Sequence, residues 1–180
     1  MLESSPLRDE RLIENSQATC PFCCLVDDRQ HVAWIEEFEH SVAFLHVDQT
    51  HPGRSILILK QHYDHFHQVP GSLFHAFNRE MRLLEEALRL ELSPDRVNYA
   101  VLGNIVSHVH CHLIPRYQQD DNWGLPPWPV NEIQKLAVAH YDEMAERIRD
   151  AIRRSPKPKP LVVSGKSEWQ PLPKPCREPQ

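Results

Sequence analysis

The chain lacks a basic excess. Its 180 residues carry 20 Lys and Arg against 25 Asp and Glu, a net charge of −5 with the histidines neutral. Binding along a nucleic-acid backbone needs a cationic face, so no nucleic-acid partner is expected. A small phosphate pocket stays open, because one or two Arg or His side chains and some backbone N–H groups suffice to build it. Long hydrophobic runs are missing too. Stretches such as Ile56–Leu59 fall far short of the roughly 20 apolar residues that span a bilayer. The opening residues, Met1-Leu-Glu-Ser-Ser-Pro-Leu-Arg-Asp-Glu10, show no basic segment followed by an apolar one, so no secretory signal is expected. Cysteine is scarce, at five residues with one close pair, which fits reduced thiols better than a disulfide framework. These absences predict a cytoplasmic protein without a membrane partner. No internal repeat and no regular βαβ alternation is visible.

What is present is ordinary globular material, 41% hydrophobic and 25% charged, enough for a core that needs neither disulfides nor metal for its bulk stability. Residues 1–19 are polar, with at most a short helix around Asp9–Asn15. Cys20-Pro-Phe-Cys23-Cys24 follows as a compact knuckle. Strands are predicted over Val32–Glu37, Ser41–Val47 and Arg54–Lys60, with the clearest turn at Asp48-Gln-Thr-His-Pro-Gly53. From Ser72 to Leu90 the period changes. Phe74, Phe77, Met81, Leu84 and Leu88 recur at helical spacing and predict a long amphipathic helix. Further strands are read over Arg96–Leu102 and His108–Pro115. A second helix is expected from Asn131, an N-cap with Gln134 three residues on, burying Leu136, Tyr141, Met144, Ile148 and Ile152. Residues 155–180 hold seven of the 16 prolines, which predicts an extended, disordered tail. The expected class is α+β: one domain over 20–154, with a mainly antiparallel sheet of about five strands, a long helix and a C-terminal helix.

The chemistry concentrates in His108-Val109-His110-Cys111-His112. In a strand, alternate side chains share a face, so three imidazoles line one side while Val109, Cys111 and Leu113 anchor the other. Such a row, with neighbours roughly 6.5–7 Å apart, can grip a phosphate. A neutral imidazole is nucleophilic, and attack on phosphorus splits one displacement into two steps through a covalent intermediate. Two other readings stand beside this one: a half-exposed strand of polar histidines, and a site where the three hold a catalytic metal ion.

His108-Val-His-Cys-His-Leu-Ile114 resembles the histidine-triad (HIT) motif at every position. Ser41–Val47 and Pro52–His62 resemble the paired strands upstream of it in that family, so the resemblance covers about Cys20 to Trp128. It implies a HIT-like fold, usually a homodimer, binding a small nucleotide and cleaving at the α-phosphate through a nucleotidyl-histidine. Substrates in the family are dinucleoside polyphosphates, nucleoside phosphoramidates or adenylated leaving groups, and a distant branch transfers nucleotides between sugars. No organic cofactor is implied. Carried over, His110 is the nucleophile, His112 contacts the transferring phosphate, and His108 orients the site or binds metal. A non-catalytic nucleotide-binding module and a metal-dependent hydrolase are the alternatives.

The chain departs from the family pattern in three places. Arg54 stands where many members have a histidine; it can bind phosphate but cannot transfer a proton, and His51 in the adjacent turn is the conceivable substitute. His46 stands where an acidic residue commonly holds the ribose hydroxyls, with Asp48 two positions on. Gly103-Asn104-Ile105-Val106 replaces Gly-Gln-Ser/Thr-Val, leaving the Asn104 amide to meet a phosphate or bridging oxygen. Some members also bind structural zinc through a Cys-x₂-Cys pair, a Lys-x-His and the first triad histidine. Here these are Cys20, Cys23, His62 and His108, and the competing reading is two reduced, packed thiols.

Cys24 is read as core or spare and Cys176 as a free thiol in the tail. His31, His40, His65, His67, His75 and His140 are read as solvated. Trp123 and Trp128 are read as loop packing or a cover for the base. Arg116 is read as an exposed charge at a strand end, and the Lys-Pro repeats of 156–160 as solubilising.

Overall fold

The strands form where β-branched and aliphatic residues alternate across two buried faces. A computed structural model describes residues 20–27, 33–128 and 134–155. Five strands, β1 (Trp34–Glu37), β2 (Ser41–Leu45), β3 (Ser55–Leu59), β4 (Arg96–Ala100) and β5 (His110–Arg116), stand in the order β1-β2-β3-β5-β4. Every neighbouring pair is antiparallel. Three helices join them: α1 (Pro21–Asp27), α2 (Gly71–Leu92) and α3 (Val138–Arg154). The α+β class, the antiparallel sheet and the long helix agree with expectation. The strands are slightly shorter than read, and β5 begins at His110 rather than His108.

β3 lies between β2 and β5 and is buried along its whole length. Its two faces divide the core. Leu57 and Leu59, with Ala43, Leu45, Val109, Cys111 and Leu113, pack against Phe77, Met81, Leu84 and Leu88 of α2 and against Ala145, Ile148 and Ala151 of α3. Each fully buried Leu, Ile or Phe contributes roughly 2 kcal/mol, so this two-helix face carries most of the stability. Ile56 and Ile58, with Val42 and Phe44, form a smaller cluster on the opposite face, covered by Val26, Phe22 and Leu25 of α1. His110 and His112 pair with Ile58 and Ile56 across β5–β3. The heavily packed face therefore holds the sheet rigid while the histidines face the lightly covered side.

Two boundaries differ from the sequence reading. The knuckle at Cys20–Cys24 is the start of helix α1. The last helix starts at Val138 with Ala137 as its cap, not near Asn131, which lies outside the described residues. Gln134 is not helical: its N–H donates to Thr50 Oγ1 (3.2 Å) and its carbonyl accepts from Gln49 N–H (2.7 Å). A segment tied to the β2–β3 turn cannot also supply the first intrahelical bonds, and Leu136 consequently lies ahead of the helix face it was assigned to. The expected helix at Asp9–Asn15 and the tail beyond residue 155 lie outside the described residues, as do His31 and Cys176.

The β2–β3 turn is tightly specified. Gly53 adopts φ +83°, a left-handed backbone that favours glycine, and a Cβ there would sit 2.1 Å from Leu92 Cδ1, so the tip of that side chain would have to shift. Buried Glu80 of α2 accepts from the His40 N–H (3.0 Å) and from the Ser41 hydroxyl, tying the long helix to the start of β2.

Candidate active site and metal cluster

A cavity of about 520 Å³ opens on the histidine face. His110 and His112 of β5 form its floor, and His46 and Arg54, flanking the β2–β3 turn, form one side. Phe22 of α1 and Trp128 close the ends, and Leu102, Asn104, Ile105 and Val106 form the remaining wall.

The expected row of three imidazoles is divided. His110 and His112 stay together, ring centroids 5.1 Å apart and edge to face. His108 lies ahead of β5 and is not among the residues lining the cavity. Its Nε2–H donates to the Leu59 carbonyl (2.7 Å), which turns the ring toward Cys20, Cys23 and His62. The Phe22 ring lies between the two groups, 4.8 Å from His110 and 6.0 Å from His108.

The tautomer of His110 follows from its partner. Nδ1 lies 2.7 Å from the carbonyl oxygen of His108, and a carbonyl only accepts, so Nδ1 carries the proton. Nε2 is left with its lone pair. Burial holds the His110 pKa below the ordinary imidazole value, the bond to His108 opposing it, so the ring is neutral at pH 7. For His46, the Asp48 N–H donates to Nδ1 (3.0 Å), which places the proton on Nε2. Burial and the nearby Arg54 charge push His46 down to about 4. His112, edge to face with both His46 (5.3 Å) and Trp128 (5.9 Å), is pushed down to about 3 by burial and by His110, Arg54 and His46. Its Nδ1 is buried with no hydrogen-bond partner among the described residues.

Arg54 is only 6% exposed. Its Nη1 pairs with the Asp48 carboxylate, its guanidinium lies 4.9 Å over the Trp128 ring, and its Nε has no partner among the described residues. Burial pushes Asp48 upward, but hydrogen bonds from Thr50 and the Arg54 charge hold its carboxyl below the usual range. Asp48 does not line the cavity. The strand ends at Leu45, so the two-residue spacing from His46 does not give a shared face.

At the second cluster, the ligand atoms of Cys20, Cys23, His62 and His108 all lie within 4.8 Å of one another. The His62 Nε2 meets Asp64 Oδ1 at 3.3 Å and the His108 Nε2 meets Leu59, so both rings aim Nδ1 inward. These two nitrogens are 3.2 Å apart, with Cys20 Sγ 3.4 Å from His108 and Cys23 Sγ 3.3 Å from His62. Each histidine is thus oriented by an acceptor behind it, the outer-shell arrangement of metal-bound imidazole.

Other residues fall elsewhere. His51 does not line the cavity; it is buried beside Asp120 (3.5 Å) and cannot stand in for Arg54. Arg116 corrects an expectation: it is 1% exposed. Its guanidinium donates to Asp120 Oδ2 (2.7 Å), Asn98 Oδ1, the Leu125 carbonyl, and both the carbonyl and the side chain of Asn122 (2.8 Å each). It pins the loop that carries Trp128. Cys24 is exposed, as are His65 and His67, whose rings stack on each other. Phe22 and the apolar wall were not identified from sequence as site residues. The one signal was the place of Phe22 inside Cys-Pro-Phe-Cys.

Comparison with known proteins agrees with this fold. The HIT domain model matches residues 29–119. The chain is 30% identical over 133 residues to the adenosine 5′-monophosphoramidase of Saccharomyces cerevisiae, covering 72% of this chain and 83% of the yeast protein. It is 26% identical over 143 residues to an adenylylsulfatase of Arabidopsis thaliana, covering 77% and 70%. Among solved structures, a hypothetical histidine triad nucleotide-binding protein of Sulfolobus tokodaii superposes with TM-score 0.63 at 18% identity, covering 75% of this chain and 93% of that one. A zinc-bound histidine triad protein of Mycobacterium smegmatis gives 0.61 at 21% identity, covering 77% and 96%. On the matched domain, the triad and the shared fold, this chain belongs to the histidine-triad (HIT) family.

Proposed function

We propose that this protein is a nucleotide hydrolase that attacks the α-phosphate of a dinucleoside polyphosphate or phosphoramidate-type substrate with His110. The observation that carries the reading is the hydrogen bond from His110 Nδ1 to the His108 carbonyl. It leaves Nε2 as a nucleophile beside a cavity large enough for a nucleotide. As Nε2 bonds to the α-phosphorus, the bond from phosphorus to the leaving group breaks and that group departs with the electron pair; the ring gains positive charge, and the same carbonyl stabilises the Nδ1–H. Water then attacks the nucleotidyl-His110, returning the electron pair to Nε2.

The other residues take roles that fit their surroundings. His112, in the cavity floor, contacts a phosphate oxygen. Arg54, held by Asp48 and Trp128, supplies positive charge to the phosphate region without leaving its place. His46 presents Nε2–H toward the cavity, and Asn104 offers its amide from the facing wall. The apolar wall and Trp128 favour a nucleobase. The relatives named as a monophosphoramidase and an adenylylsulfatase support a reaction on an adenylated substrate.

We also assign Cys20, Cys23, His62 and His108 as ligands of a structural zinc ion. Two inward lone pairs 3.2 Å apart repel each other, and a shared cation relieves that repulsion. Burial and the adjacent Cys20 push the Cys23 thiol up to about 12, a cost that a bound divalent ion reverses. Zinc there would tie α1, and with it Phe22, to the sheet; it would not touch the reacting phosphate. A homodimer is the assembly proposed, to be tested by sedimentation equilibrium.

The deciding experiment is early acid-free quenching after mixing with adenylated substrates, followed by mass spectrometry. A nucleotide adduct on His110 is expected; turnover with the adduct absent or on another residue would exclude the mechanism.

A further inference from the structure

His51 is a buried titratable side chain that the reaction above does not use. It sits in the β2–β3 turn shortly before Arg54, and the Arg54 N–H donates to its carbonyl (3.0 Å). Its ring faces the segment that follows β5. There Nδ1 lies 3.5 Å from Asp120 Oδ2, and the ring hydrogen-bonds to the Pro127 carbonyl. Asp120 is in turn fixed by the Arg116 guanidinium (2.7 Å). Trp128 comes directly after Pro127. Its ring lies 4.9 Å from the Arg54 guanidinium and 5.9 Å, edge to face, from His112. The turn therefore grips neighbouring residues of that segment twice, with the His51 ring at Pro127 and with the Arg54 guanidinium at Trp128.

We propose that His51 is a positioning residue for the nucleotide site, holding Trp128 against Arg54 and His112 through the Pro127 backbone. This rests on the reading above, in which Arg54 supplies charge to the phosphate region and Trp128 favours the base. Proline fixes φ at about −65°, so the Pro126-Pro127 backbone leading into Trp128 is stiff. A hydrogen bond at the Pro127 carbonyl then sets the direction in which the indole leaves the chain. Arg116 takes hold of the same segment at Asp120, Asn122 and Leu125, which leaves Pro126 to Trp128 to other contacts. His51 extends the hold to Pro127. A buried imidazole is costly unless it is hydrogen-bonded, so the ring and the Pro127 carbonyl keep each other in place. Leucine at this position fills similar space but has no donor.

The test separates positioning from folding. AMP affinity is measured by calorimetry, and KM and kcat with adenosine 5′-monophosphoramidate. The proteins are the intact wild type, His51→Leu, His51→Asn, Trp128→Leu and the His51→Leu/Trp128→Leu pair. Misplacing an aromatic ring that stacks on a base weakens binding by about tenfold. His51→Leu should therefore raise the AMP Kd and KM by about that factor while kcat stays within about threefold. In His51→Asn the side-chain amide donates to the Pro127 carbonyl, and both values should return to within about threefold of wild type. Because His51 acts through the indole, adding His51→Leu to Trp128→Leu should have no further effect. A folded His51→Leu with wild-type Kd and KM would overturn the proposal, as would effects that multiply in the paired variant. Should His51→Leu not fold, Trp128→Leu decides: a rise of about tenfold in Kd and KM supports the proposal, and wild-type values overturn it. Calorimetric affinity does not depend on turnover. A missing His110 adduct would thus overturn the His110 mechanism alone, whereas wild-type protein that does not bind AMP would overturn both.

Discussion

His108 Nε2 lies 2.7 Å from the carbonyl oxygen of Leu59, and this contact decides where the first triad histidine acts. With Nε2–H committed to the end of β3, Nδ1 faces Cys20, Cys23 and His62. Purified protein should therefore contain stoichiometric zinc by elemental analysis. Chelation should lower Tm by several degrees, because α1 loses its tie to the sheet. Turnover of the remaining folded protein, measured well below Tm, should change by no more than about twofold, the ion standing apart from the phosphate. Immediate loss of activity in a still-folded, chelated protein would point instead to a catalytic metal.

His110→Asn should lower kcat by on the order of 10³-fold or more, since no neighbour replaces a covalent nucleophile. The Asn side chain keeps a donor close to the His108 carbonyl, so Tm should stay within about 3 °C of wild type. Nucleotide binding, followed by calorimetry, should persist. Retention of wild-type turnover would remove His110 from its role.

His46 and His112 make stability depend on pH. In the unfolded chain both take up a proton near 6.5, whereas in the fold they do so at about 4 and about 3. Between those values the unfolded state binds more protons, so stability rises with pH there. The full contribution is present above pH 6.5 and is lost as pH falls toward the folded values. Calorimetric Tm should therefore drop steeply from pH 6.5 to 4, and the His46→Gln/His112→Gln double variant should show a shallower slope. Identical slopes would contradict the burial argument.

Arg116→Met should destabilise the protein by about 3 kcal/mol or more, because Asp120 and the Asn122 and Leu125 carbonyls lose a buried cation that all of them share. The loop they belong to carries Trp128, so KM should rise more than kcat falls. Urea unfolding reads the first effect and initial rates the second; wild-type values in both would show the network to be incidental.

Much of this was legible beforehand because it is local. The alternation in Val109–Leu113 assigns side chains to faces through backbone geometry alone, and the spacing of Phe77, Met81, Leu84 and Leu88 places α2 by the same logic. The Cys-x₂-Cys pair with His62 and His108 was readable as a ligand set only through family resemblance, since no local rule brings such distant positions together. The start of α3 was misread for a related reason. The capping pattern at Asn131–Gln134 is a local signal, but the backbone of Gln134 is claimed by Gln49 and Thr50, far away in the chain.

By itself the sequence determined the strand period, the apolar and imidazole faces of β5, and the residue types available for phosphate and metal chemistry. Only the tertiary structure decided that the triad divides, with His108 drawn away by a carbonyl 49 positions distant and His110 and His112 left in the cavity. It also decided that Arg116 is buried, that Arg54 is locked between Asp48 and Trp128, and that Phe22 closes the pocket. The physical reason is that face is set by the direction of Cβ from one residue to the next. Ring orientation, burial and protonation are set instead by partners that meet only when the whole sheet is assembled.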